Sequence, residues 1–296
     1  MSHSSGRGRL EPDPAPDDSP HPPRTYTLPA GAVDTHAHVI GTQWIENRSY
    51  TPHPAPPEAY LRMLDATGLA YGVLIQVSVH GTDNSLMRDT VKAHRDRLRG
   101  VAVIPHDLDQ GSLLELKDAG IVGLRLNTTT GGGVGVDALA DYEAICREMD
   151  WHLQFLVNAG QLPSLAPRIA RLRVPAVFDH MGYVSPDLAD TEAGRTLLHL
   201  VRDGAWVKLS GGFRISLAAP PYPDVIPFAQ ALAQAAPDRC VWGTDWPHVS
   251  FGKIMPNTGD LLDLLGKCVP DAALRDAILA ANPQRLYGFS AMGSDQ

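Results

Sequence analysis

The chain has few cysteines, no surplus of positive charge and no long apolar run. Its three cysteines, Cys146, Cys240 and Cys268, are scattered, odd in number and form no CxxC pair. That excludes a zinc ribbon and fits free thiols in a reducing, cytoplasmic compartment. Lys and Arg number 25 against 33 Asp and Glu, a formal net charge of −8, which argues against nucleic acid or an anionic membrane surface as partner. No run approaches the roughly 20 apolar residues of a membrane span, and the N-terminus carries no secretory apolar region. No GxGxxG follows the first apolar run. Gly131-Gly-Gly133 lacks the Lys-Ser/Thr of a phosphate loop and reads as a flexible loop.

What is present begins after a polar lead. Residues 1–27 are rich in Pro, Ser, Asp, Arg and Gly and have too little apolar surface to offset the entropy of ordering, so they read as a disordered tail. His3 and His21 are set aside with them. Residues 28–296 form the folded domain, and 44% hydrophobic residues over the chain supply its core. Eight short apolar runs, 32–39, 70–77, 100–104, 121–126, 152–157, 176–179, 206–209 and 239–243, are continuous rather than alternating, as strands covered on both faces are. Helical segments separate them at 57–67, 83–97, 111–119, 137–149, 162–172, 191–202 and 224–235, with a last at 271–281. Pro57 and Gly68 bracket the first, and Asp137 is placed to cap the fourth. Eight strand–helix units predict an α/β fold, a closed (β/α)8 TIM barrel, with an open doubly wound sheet as the second architecture.

In such a barrel, functional groups gather where strands end. The first strand carries Asp34, His36 and His38, and residues two apart share a face. Two imidazoles side by side on a buried strand must be hydrogen-bonded or bound to something. Later strand ends offer Gln76, Ser78 and His80, then Arg125 and Asn127, Asn158, Asp179 and His180, Lys208, Ser210 and Arg214, and finally Asp245 and His248. That recurrence favours an enzyme over a non-catalytic binding barrel.

The motifs DTHAHV, FDHMG, VKLSGGFR and WGTDWPH, with the closing Asn282-Pro-Gln-Arg-Leu-Tyr-Gly-Phe289, stand in the order of the amidohydrolase superfamily. The chain resembles most the 2-pyrone-4,6-dicarboxylate hydrolase branch, whose members are lactonases, through His80-Gly-Thr-Asp-Asn84 and Asp179-His-Met-Gly182. The resemblance implies hydrolysis of a small anionic lactone or carboxylate. Asp245 would be the general base, and His36, His38 and His180 would stabilise the oxyanion. Arg125 and Arg214 would clamp a substrate carboxylate, with Tyr50, Ser78, His80, Asn158 and His248 around it. The branch works without a required metal. The residues also suit one divalent ion, Zn or Mn, on His36, His38, His180 and Asp245. A two-metal centre is disfavoured, because the fourth strand offers Arg125 rather than a bridging lysine and the fifth ends in Asn158. Where the pyrone-dicarboxylate enzymes carry further arginines, this chain has Thr128-Thr-Thr-Gly-Gly-Gly133 and Tyr183, which implies a mono-anionic or otherwise altered lactone. A zinc-dependent decarboxylase and a lactone isomerase on the same scaffold are the alternatives. Assembly into a homo-oligomer is left open.

Overall fold

Each apolar run becomes a strand lying between two parallel neighbours. The computed structural model describes residues 11–251 and 255–290. Its strands are β1 (Val33–Ala37), β2 (Tyr71–Ile75), β3 (Leu98–Ala102), β4 (Ile121–Asn127), β5 (His152–Leu156), β6 (Ala176–Phe178), β7 (Trp206–Lys208) and β8 (Cys240–Val241). They form one parallel sheet in sequence order. Backbone bonds from Thr35 to Trp242 and from His38 to Trp246 close β8 onto β1, completing the (β/α)8 barrel. With both faces covered, a strand has no solvent side, which is why the runs do not alternate.

The helices follow the same logic. Pro57–Thr67 starts on a proline whose missing N–H costs nothing at that position, and ends at Gly68 in the left-handed region (φ 81°). It buries Tyr60, Met63 and Leu64; each such side chain contributes about 1.5–3 kcal/mol, and Leu64→Ala would cost about 2–5 kcal/mol. Three local expectations differ. The fourth helix runs Leu139–Met149 without a side-chain cap, so Asp137 does not cap it. The expected set omits Thr258–Cys268, whose Asn257 side chain accepts from the Gly259 amide. The closing segment is not one helix over 271–281 but a short turn of α-helix, a π turn and Asn282–Tyr287.

Residues 11–27 differ from the disordered tail expected of residues 1–27; the first ten lie outside the described residues. The Asp263 carboxylate accepts from the Arg24 and Thr25 amides and the Thr25 hydroxyl, and Tyr26 donates to the Leu262 carbonyl. The composition argument weighs apolar burial alone, whereas this segment is held mainly by polar side chains of the barrel. No helix among the described residues is long and apolar enough to cross a membrane. The three cysteines are buried free thiols.

Candidate active site

β1 sends His36 and His38 to one end of the barrel, with ring centroids 5.1 Å apart. Nε2 of each lies 3.8 Å from Oδ1 of Asp245. His180, in the turn after β6, brings its Nε2 to 3.7 Å from Oδ2 of the same carboxylate. The four residues named from the motifs thus meet at one point, all almost fully buried.

The partners of the opposite ring nitrogens set the tautomers. Nδ1 of His38 lies 2.7 Å from the Ile75 carbonyl, which can only accept, so Nε2 carries the lone pair. Nδ1 of His36 lies 3.1 Å from Asp179 and 3.3 Å from the Lys208 ammonium. That ammonium has three protons and three better acceptors, the Thr35 carbonyl and Gln154 Oε1 at 2.8 Å and Asp179 at 3.3 Å. His36 therefore donates to Asp179, and its Nε2, which has no partner, is an acceptor. Burial keeps these rings neutral: His38 is pushed down to about 3, and His36 and His180 fall well below the usual imidazole range. In these tautomers the inward nitrogens of His36 and His38 are hydrogen-bond acceptors. His180, whose Nδ1 meets the Ser210 hydroxyl at 3.0 Å, keeps a donor's freedom, since a hydroxyl can give or receive. Gly211 (φ 65°) makes room for it, for a Cβ there would lie 2.7 Å from the ring.

Asp245 sits on strained backbone. It, His248 and Ser250 all adopt left-handed φ values of 62°, 68° and 56°, each costing about 1–3 kcal/mol. Its amide donates to the His36 carbonyl at 2.7 Å. Burial raises its pKa, while Arg214, which donates from Nε to Oδ2, pulls it back. Nη1 of Arg214 reaches the Val249 carbonyl at 2.9 Å.

A cavity of about 430 Å³ opens over these groups, a size suited to a small ligand. Arg125 projects into it from β4, giving one bond to the Gln76 carbonyl and leaving Nε unpartnered. Tyr50 and Ser78, bonded to each other at 3.0 Å, and Asn158 also line it. Two expected residues do not. His80 belongs to a separate surface hollow, its Nε2 3.4 Å from the Gly41 amide. His248 packs edge-on against Phe213 beneath the loop, with centroids 5.1 Å apart, away from the cavity lining. The polar lining residues not singled out as ligand contacts are Asn127, Thr129, Thr130, Tyr183 and Ser250. Asn127 stands at a strand end, and Thr129, Thr130 and Tyr183 fall where the pyrone-dicarboxylate enzymes carry further arginines; Ser250 carried no signal. Oδ1 of Asn127 accepts from the Thr129 and Thr130 amides and shapes the turn. The glycine run packs closely rather than hanging free: a Cβ on Gly132 (φ 87°) would lie 2.1 Å from the Ser78 carbonyl.

Three buried atoms, Nε2 of His36 and His38 and an oxygen of Asp245, lie within 4.8 Å of one another. All are acceptors, and His180 falls outside that set. One divalent ion fits it, as does one water giving its two protons.

The amidohydrolase family model matches residues 33–289. A 4-sulfomuconolactone hydrolase of Hydrogenophaga intermedia is 38% identical over 92% of this chain and 93% of its own. A 2-pyrone-4,6-dicarboxylate hydrolase of Comamonas testosteroni is 34% identical over 88% and 92%. A crystal structure of an Agrobacterium tumefaciens protein in its apo form superposes with a TM-score of 0.81 at 28% identity, covering 91% of this chain and all of that one.

Proposed function

The chain belongs to the amidohydrolase family, and we propose that it opens the ring of a small, mono-anionic lactone by hydrolysis in the cytoplasm. The unpartnered guanidinium face of Arg125 carries the substrate class. It is a buried cation that bonds the Gln76 carbonyl and whose Nε has no partner, lining the same cavity as Asp245. An anionic substituent supplies the missing partner. Arg214 already holds Asp245, which leaves one guanidinium for the substrate.

In this reading, a water gives hydrogen bonds to Nε2 of His36 or His38 and to Asp245. Asp245 takes its proton as the oxygen attacks the acyl carbon, a step to which a positioned base contributes about 10²–10⁴-fold. With the Ser210 hydroxyl donating to Nδ1, His180 presents Nε2–H to the developing oxyanion beside the Arg125 charge. Asp245 then returns the proton to the leaving oxygen. A single Zn2+ or Mn2+ would be held by His36, His38 and Asp245, where it would lower the pKa of water and polarise the carbonyl. We propose that turnover needs none, because the Arg125 charge and the His180 donor already face the developing oxyanion.

The test is a lactone panel, with ring opening followed by acid release and products checked for isomerised lactone. Mono-anionic lactones should be opened, and Arg125→Met should raise their KM about 10- to 100-fold, the loss of one charge-assisted contact, while neutral lactones keep their KM and lose only in kcat. Rapid turnover of 2-pyrone-4,6-dicarboxylate would overturn the mono-anionic assignment. An isomerised product would overturn hydrolysis.

A further inference from the structure

The segment before β1 does more than lie against the barrel. Its course is fixed along the Thr258–Cys268 helix and the turn before it: the Asn257 side chain donates to the Ser19 carbonyl at 2.9 Å, and His21 occupies the space a Cβ on Gly259 would need. From there its upstream end reaches the rim of the cavity. Pro12 pairs with Thr51 as an isolated parallel bridge, and the Asp13 amide donates to the Thr51 carbonyl at 2.7 Å. The Asp13 carboxylate accepts from the Ser250 amide at 2.7 Å. One residue of the strap therefore ties the loop after β1 to the loop after β8. Both loops line the cavity, through Tyr50 on one side and Val249, Ser250 and Phe251 on the other.

The second tie leads inward. Ser250 has a left-handed φ of 56°, a conformation that a non-glycine residue keeps only when its surroundings hold it. The peptide group that Asp13 grips through the Ser250 N–H is the one whose carbonyl, that of Val249, accepts from Nη1 of Arg214. Arg214 in turn holds Oδ2 of Asp245. A continuous path of hydrogen bonds thus runs from the strap carboxylate through one peptide unit and one guanidinium to the carboxylate at the centre of the site.

We infer that Asp13 is a positioning residue: by fixing the Val249–Ser250 peptide it sets the placement of Arg214 and keeps the β1 and β8 loops at their spacing over the cavity. The inference rests on the lactonase reading only for its effect on turnover. The hydrogen bond to the amide carries most of the effect, and the Asp13 charge, which also acts on Arg214, adds to it.

The full-length chain carrying Asp13→Ala or Asp13→Asn tests this. Asparagine retains an oxygen acceptor for the Ser250 amide, and alanine does not. In Asp13→Ala, amide exchange over residues 246–251 should rise about tenfold, as a locally opened loop does. Its kcat/KM on an opened lactone should fall about tenfold, in kcat because Arg214 holds the base and in KM because both loops line the cavity, since small misplacements at a site are costly. The melting temperature should hardly move. Asp13→Asn should remain within about twofold of the parent in both readouts, because it preserves the hydrogen bond. Unchanged exchange in Asp13→Ala would overturn the inference, and so would raised exchange with kcat/KM unaltered. Asp13→Asn behaving like Asp13→Ala would overturn the hydrogen-bond basis. If the wild-type chain opened no lactone, the lactonase reading would fall, and the exchange comparison would still decide the strap.

Discussion

Arg214 and Asp245 share one hydrogen bond that divides the labour of a single carboxylate. Oδ2 is taken by the guanidinium, and Oδ1 is left facing the lone pairs of His36 and His38 at 3.8 Å. Arg214, a candidate clamp for a substrate carboxylate on its position in the chain, bonds Asp245 and also lines the cavity. Both groups are buried, so breaking the pair strands a charge.

Arg214→Met should therefore cost stability as well as turnover, about 3 kcal/mol for a buried charge left unpaired. Arg214→Lys should recover only part of either, because one ammonium cannot reproduce the fork that holds Asp245 and the Val249 carbonyl together. Urea unfolding and steady-state kinetics on the two variants check this. Full recovery of stability or turnover by lysine would contradict it.

Chelation separates the two occupants that fit the acceptor set. Metal analysis should find well under one ion per chain, and incubation with a strong chelator should leave most of the lactone turnover. Loss of turnover with recovery on adding Zn2+ or Mn2+ would assign His36, His38 and Asp245 to a metal instead.

His152 offers a pH test beneath the site, next to the Lys208, Asp179 and Gln154 groups that hold His36. It is buried on β5 with Tyr287 edge-on, centroids 5.3 Å apart, and burial pushes its pKa down to about 3 from 6.5. Between those values the unfolded chain binds a proton that the folded chain refuses, so stability falls as pH drops from about 6.5 towards 3. In His152→Phe the dependence of unfolding free energy on pH over that window should flatten by up to about 1.4 kcal/mol per pH unit, one proton's worth. An unchanged slope would show that His152 is protonated in the fold.

The barrel was legible because each strand is short, continuous and apolar, and because His36, His38, His180 and Asp245 stand at strand ends, where one edge of a cylinder collects them. What the chain order could not show is pairing. Nothing near Arg214 in the sequence says that its partner is Asp245, or that Lys208, Gln154 and Asp179 lock the His36 ring from below. His80 and His248 sit beside motif residues, yet their backbone turns them elsewhere, His248 through a left-handed φ of 68°. The polar segment at 11–27 read as unanchored because its anchors, Asp263 and Asn257 among them, lie at the far end of the chain.

The most direct measurement is turnover of an opened lactone by Asp245→Asn, with folding checked by circular dichroism. The account predicts a fall in kcat of about 10²–10⁴-fold, the contribution of a positioned base, in a chain that keeps its fold. Activity within a few-fold of the parent would contradict the assignment of Asp245 as the group that takes the proton from water.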